Sequence, residues 1–133
     1  DIAFCVIDTK HKILTYAGAN RPLFIERQKK LIELKPDKLS IGEIENNQEA
    51  KFTNHKMELK SGDRIFLFTD GFADQFSEKT DKKITVKKLK ALLLESAFLP
   101  AKEQKLSISH FFEDWKGKCD QTDDVLLMCI VIP

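Results

Sequence analysis

Glycine and proline are scarce, five and four among 133 residues, which excludes a collagen-like repeat and a Pro/Gly-rich disordered chain. Cysteine is scarcer still: Cys5, Cys119 and Cys129 are odd in number and far apart. That excludes a disulfide framework and a zinc knuckle, and leaves the reduced thiols of a cytoplasmic protein. An excess of charge of one sign is missing too. Lys and Arg number 22 against 21 Asp and Glu, and basic residues gather only in pairs such as Lys82-Lys83 and Lys87-Lys88, so the electrostatic footprint of a nucleic-acid binder is absent. The longest apolar run, Val125 to Ile132, falls far short of the ~20 residues that span a bilayer, and no charged-then-apolar leader opens the chain. The three histidines, His11, His55 and His110, share no spacing that would gather them, and are read as structural.

What is present is ordinary globular material, 42% hydrophobic and 32% charged. One domain is expected, burying roughly two thirds of its unfolded surface. The chain begins without Met and directly inside a strand pattern, which reads as a piece cut from a longer protein. Asp1 to Asp8 is apolar on both alternating faces and predicts a central strand, joined through the polar turn Lys10-His11-Lys12 to a second strand, Ile13 to Ala17, as an antiparallel hairpin. Gly18-Ala19-Asn20-Arg21-Pro22 breaks the ladder. Leu23 to Ile25 and Leu31 to Leu34 continue an antiparallel meander. Glu43 to Glu49 reads as a surface loop, and Ala50 to Leu59 as a half-exposed strand.

The turn Ser61-Gly62-Asp63 then launches the apolar run Ile65 to Phe68, which stops at Thr69-Asp70-Gly71. An apolar run without alternation predicts a strand covered on both faces, with Asp70 at the rim of a core. Ser77 to Lys83 reads as solvated loop. Helical spacing follows: Val86, Leu89, Leu92, Leu93 and Ala97, with Thr85 as N-cap, and then Ile108, Phe111, Phe112 and Trp115 up to a stop at Gly117. The aromatic stripe predicts helix-to-sheet packing. Val125 to Ile132 closes the chain as a second interior strand. Strands first, two helices and a closing strand argue an α+β fold with layers on both faces of each sheet.

The two most buried strands end in acids, Asp70 with Asp74 nearby, and Asp123-Asp124. If the strands are neighbours, the acids share a rim; two such charges ~4 Å apart repel by about 4 kcal/mol at an effective dielectric of 20, and a divalent cation would offset that. Neighbouring strand residues face opposite ways, so one of Asp123 and Asp124 is expected at a shared site. Oxygen-only ligation selects Mg2+, Mn2+ or Ca2+ over zinc. On spacing alone the plainer reading, in which these acids are only strand-end turn and cap residues, stands ahead of a metal site. An EF-hand does not: its sixth position would be Gln75 and its third Phe72.

Leu59-x-Ser-Gly-Asp-x-Ile-x-Leu-x-Thr-Asp-Gly-Phe-x-Asp (59–74) and Gln121-x-Asp-Asp-Val-Leu-Leu (121–127) together resemble the SpoIIE-type branch of the PPM, or type 2C, metal-dependent serine/threonine protein phosphatases. The resemblance extends to Ile7-Asp8, to Tyr16 through Leu23, to Leu39-Ser40-Ile41-Gly42 and to Trp115-Lys116-Gly117. It implies an antiparallel β-sandwich flanked by helices, with the N-terminal part of the domain missing from residues 1–133. It further implies Asp70 and Asp123 as metal ligands, Asp124 as a supporting residue and two Mg2+ or Mn2+ ions in the complete domain. The resemblance also implies attack on phosphorus by a metal-activated water, without a covalent protein nucleophile. The implied substrate is a bacterial signalling phosphoprotein such as an anti-sigma-factor antagonist. Two upstream acidic motifs of the family lie outside this chain, so the resemblance implies an inactive fragment, with exposed sheet edges able to pair between chains as a homodimer. The family's Ala-Gly-His element reads Gly18-Ala19-Asn20 here. The alternative is a non-catalytic interaction or pseudophosphatase module on the same scaffold.

Overall fold

The structure, a computed structural model, describes residues 1–42 and 51–133; the loop expected at Glu43 to Glu49 lies outside them. In chain order the elements are β1 (Ile2–Asp8), β2 (Ile13–Ala19), β3 (Leu23–Arg27), β4 (Lys30–Leu34), β5 (His55–Glu58), β6 (Arg64–Phe68), α1 (Gly71–Asp74), α2 (Thr85–Glu95), α3 (Ala101–Lys116) and β7 (Leu127–Val131). They form two antiparallel sheets, one ordered β1-β2-β5 and the other β4-β3-β6-β7. The expected α+β sandwich is therefore present.

Period-two alternation builds its middle layer. In β3 and β6, Phe24, Phe66 and Phe68 face α2 and α3, where Leu89, Leu93, Ile108 and Phe112 close one core. Leu23, Ile25 and Ile65 point the other way, onto Leu14 and Tyr16 of the three-stranded sheet. These strands are covered on both faces, as their unbroken apolar runs require. The aromatic stripe of α3 packs on the sheet as expected, with the Phe112 ring 5.2 Å from that of Phe72. Thr85 sits at φ 74° and its Oγ1 accepts the Lys88 amide at 3.4 Å, the capping role its position suggested.

Four expectations are corrected. β1 is an edge strand, not a central one: Ala3, Cys5 and Ile7 face the core, while Ile2, Phe4 and Val6 lie on the outer face of the sheet at 44%, 60% and 55% exposure. Apolar residues on both faces imply two-sided burial only when both faces are covered, and among the described residues no helix packs on that outer face. β7 is likewise an edge, shorter than the apolar run, with Leu126, Met128 and Val131 about half exposed. The strands of the first third do not form one meander, because the chain crosses from one sheet to the other at Asn20–Pro22, and Gly18-Ala19 does not break the ladder: both residues continue β2, paired with Ala3 and Ile2 of β1. The loop at Ser77 to Lys83 is solvated from Glu78 on, as expected, and is pinned at its base: the buried Ser77 hydroxyl accepts the Lys79 and Thr80 amides, and Phe76 bridges to Lys83.

The turn before β6 is a corner between the sheets rather than a hairpin. Buried Asp63 accepts hydrogen bonds from Arg27 Nε at 2.8 Å, Arg27 Nη2 at 2.6 Å and the Lys60 amide at 2.8 Å. Arg27 Nη2 also donates to the Glu58 carbonyl at 2.8 Å. One fork thus ties β3 to the end of β5 and fixes how β6 enters its sheet.

Candidate metal centre

β6 ends at Phe68, and Thr69-Asp70 leads directly into the single turn α1, which the sequence pattern did not foresee. Thr69 latches this strand end to the acidic loop before β7. Its amide donates to the Leu126 carbonyl at 3.0 Å, its hydroxyl donates to the Asp124 carbonyl at 2.7 Å, and the same oxygen accepts the Leu126 amide at 2.9 Å. Gly71 completes the latch by having no side chain. A Cβ there would lie 2.4 Å from the Asp124 carbonyl oxygen, closer than any real contact. Just after α1, the Gln75 side-chain amide donates to the Asp120 carbonyl at 3.0 Å and holds the start of the same loop.

The consequence is that Asp70 and Asp123 line one cleft of about 520 Å³ on one rim, together with Asp1, Arg21 and Thr69. Both acids precede or follow their strands, so strand alternation does not decide between Asp123 and Asp124. Asp123 lines the cleft, and its Oδ1 accepts the Asp124 amide at 2.7 Å. Asp124 serves the site through its backbone carbonyl, held by Thr69. Asp74 is not part of the cleft; its carboxylate pairs with Lys83 Nζ at 3.2 Å.

Asp70 already has a cationic partner. Arg21 Nη2 donates to Asp70 Oδ2 and lies 3.4 Å from Asp1 Oδ2. Partial burial pushes the Asp70 carboxyl up, but the hydrogen bond and charge of Arg21 outweigh it and hold the carboxyl below the usual aspartate value. Among the described residues no three His, Cys, Asp or Glu side chains converge as a metal cage. The cleft brings carboxylate oxygens of Asp70 and Asp123, a hard-donor type that suits Mg2+ or Mn2+, to one rim, without a coordination sphere among the described residues. Sequence reading treated Arg21 as a ladder breaker; the available signal was a single cation in the connection that leads to an acidic rim.

The fold is that of the PP2C phosphatase domains. The SiaA PP2C domain of Pseudomonas aeruginosa superposes with a TM-score of 0.84 at 24% identity, over 96% of this chain and 49% of that one. The phosphatase domain of the cell-fate determinant SpoIIE from Bacillus subtilis gives 0.67 at 14%, over 98% and 56%. The catalytic domain of the serine/threonine phosphatase PstP, solved with two manganese ions, gives 0.57 at 16%, over 96% and 56%. The chain thus spans about half the length of these structures. Its own family is defined by sequence: residues 1–133 match the profile of Stage II sporulation protein E, and the chain belongs to the SpoIIE family. No curated protein matches it.

Proposed function

We propose that this chain is the C-terminal part of a metal-dependent serine/threonine phosphoprotein phosphatase, with Asp70 and Asp123 as its share of the metal ligands. The observation that carries the reading is the placement of these two acids on one rim by the Thr69–Asp124 latch. Family membership and the likeness to solved phosphatase domains, one of them holding two manganese ions, support it. Bound Mg2+ or Mn2+ would supply Lewis-acid polarisation of the phosphoryl oxygens and a water acidic enough to attack phosphorus near neutral pH.

The chain's own contribution is positional. Asp70 and Asp123 offer anionic oxygens; Thr69, Gly71 and Gln75 hold the two loops that carry them. With two carboxylates and no cage among the described residues, the 133-residue chain alone is expected to lack activity, because the water is not positioned. No described helix is long and apolar enough to cross a membrane. We place the protein in the cytoplasm, acting on a signalling phosphoprotein such as an anti-sigma-factor antagonist, with self-association through its open sheet edges.

One observation favours the non-catalytic alternative: the Arg21 guanidinium already neutralises Asp70. Activity on an aryl phosphate with Mn2+, measured for the full-length protein, for residues 1–133 and for full-length Asp70→Asn, separates the readings. Turnover only in the full-length wild type is expected. At about 100 times the dissociation constant, Mn2+ should stabilise the wild type by roughly 2.7 kcal/mol and leave Asp70→Asn unshifted. Wild-type turnover and an unaltered metal-induced shift in Asp70→Asn would reduce Asp70 to a turn residue.

A further inference from the structure

The near-balance of charge over the whole chain conceals a local excess. Lys79, Lys82, Lys83, Lys87, Lys88 and Lys90 stand within twelve positions, against one acid, Asp81. They cover the loop that follows α1 and the first turns of α2. Lys83 pairs with Asp74 at 3.2 Å and Lys90 with Glu33 at 2.8 Å, and the other four have no acidic partner among the described residues. Lys88 lies instead over the Phe111 ring, 5.5 Å from its centroid, and Phe111 stacks on Trp115. The loop is exposed yet held in one shape. The Ser77 amide donates to the Lys82 carbonyl at 3.0 Å, the Asp81 amide to the Ser77 carbonyl at 2.9 Å and the Ile84 amide to the Gln75 carbonyl at 3.1 Å. Glu78, the acid at its base, is occupied by the Lys118 amide at 3.2 Å. This basic ridge adjoins the acidic cleft: the Asp74 amide donates to the Asp70 carbonyl at 2.9 Å and the Asp74 carboxylate holds Lys83, so the single turn of α1 separates a cleft acid from the first lysines.

We infer that the ridge from Lys79 to Lys88 is a docking surface for an acidic face of the phosphoprotein that this cleft acts on. The inference rests on the phosphatase reading above and adds a substrate class to it, a phosphorylated residue flanked by Asp and Glu. Asp1, Asp70 and Asp123 line the cleft and repel an acidic partner, whereas uncompensated lysines one turn away attract it and seat it beside the cleft rather than across it. At physiological ionic strength an exposed charge is felt over ~8 Å, which suits a contact between neighbouring surfaces. Such charges act on encounter rate and on the choice of partner more than on tightness. Because the loop already has its shape, docking orders little that was free.

The test compares the full-length wild type with Lys79→Gln/Lys82→Gln/Lys87→Gln on three probes: a phosphothreonyl peptide flanked by glutamates, the same peptide flanked by glutamines, and an aryl phosphate. All three substitutions are at exposed positions, so the fold should be kept. In the triple variant kcat/KM on the glutamate peptide should fall about three- to thirtyfold, chiefly through KM, while the other two probes change less than about twofold. In about 1 M NaCl, where the Debye length is ~3 Å, the two proteins should converge on the glutamate peptide. Equal loss on all three probes, or none on the glutamate peptide, overturns the inference. A wild type that turns over no probe defeats the phosphatase reading, and fluorescence anisotropy of the labelled glutamate peptide then decides separately: weaker binding by the variant keeps an acidic-protein surface, and equal binding overturns it. Sedimentation of the wild type but not the variant with phosphatidylserine vesicles, with unchanged peptide kinetics, assigns the ridge to a membrane and overturns the inference as well.

Discussion

Truncating Asp63 should be among the most damaging single changes in this chain. Its side chain is 1% exposed and its partner Arg27 is 20% exposed, so Asp63→Ala leaves the Lys60 amide without its acceptor and a largely buried guanidinium with no counter-charge, only the Glu58 carbonyl remaining to it. Breaking such a pair from one side costs about 3–5 kcal/mol, a large part of the 5–15 kcal/mol typical of a domain. In urea, with a slope of ~1.5 kcal/mol/M, the midpoint should drop by about 2–3 M. The double variant Arg27→Met/Asp63→Leu removes both charges and should regain most of the loss. Acid titration gives a second reading. Burial pushes the Asp63 carboxyl up, but the Arg27 hydrogen bond and the Lys60 amide outweigh it, so the folded value is depressed. The stabilisation is therefore complete above the unfolded value of about 3.9 and is lost as pH falls through the lower folded value. Asp63→Ala should lack that component of acid unfolding. A cost under ~1 kcal/mol, or a double variant worse than the single one, would refute the argument that this fork joins the sheets.

Gly71→Ala drives a Cβ into the Asp124 carbonyl; backbone cannot yield as a side chain can, so a loss of about 1–3 kcal/mol in thermal melts is expected. With the acidic loop displaced, activity of the full-length protein should fall about a hundredfold. Phe112→Ala opens a cavity between α3 and the four-stranded sheet and should cost about 3–5 kcal/mol in urea unfolding, with a loss under ~1 kcal/mol placing the ring outside the core. Tyr16 is the chain's one tyrosine, and burial, with the charges of Asp37 and Glu33, pushes it up to about 12. Ultraviolet titration of residues 1–133 reads that phenol alone, and ionisation near the ordinary value of about 10 would show its hydrogen bond to the Arg21 carbonyl to be loose.

The elements with strong local periodicity were legible. The alternating apolar stripe of α3 and the unbroken run of β6 each dictate one element and one burial pattern, and both are found. Edge and centre were not legible for β1 and β7, because an apolar side chain records what could cover it rather than what does. Asp70 and Asp123 could be placed on one rim from their positions at the ends of adjacent strands. Their partners could not. Arg21 reaches Asp70 across 49 positions and Arg27 reaches Asp63 across 36, and such distances carry no local pattern. Asp63 was read as a turn residue because Ser-Gly-Asp suffices for a turn; its buried fork is a tertiary fact.

The latch between Thr69 and the Asp124 loop also bears on the order in which the molecule assembles. β6 and β7 are paired across everything from Thr69 to Leu126, all three helices included. The hairpins β1-β2 and β3-β4 close over a few residues and the helices form locally, whereas this ladder must wait for a long segment to fold back. Asp70 and Asp123 are therefore expected to come together late in folding. A nascent or partly unfolded chain would hold its two acids apart, and the cleft exists only once the rest of the fold is complete.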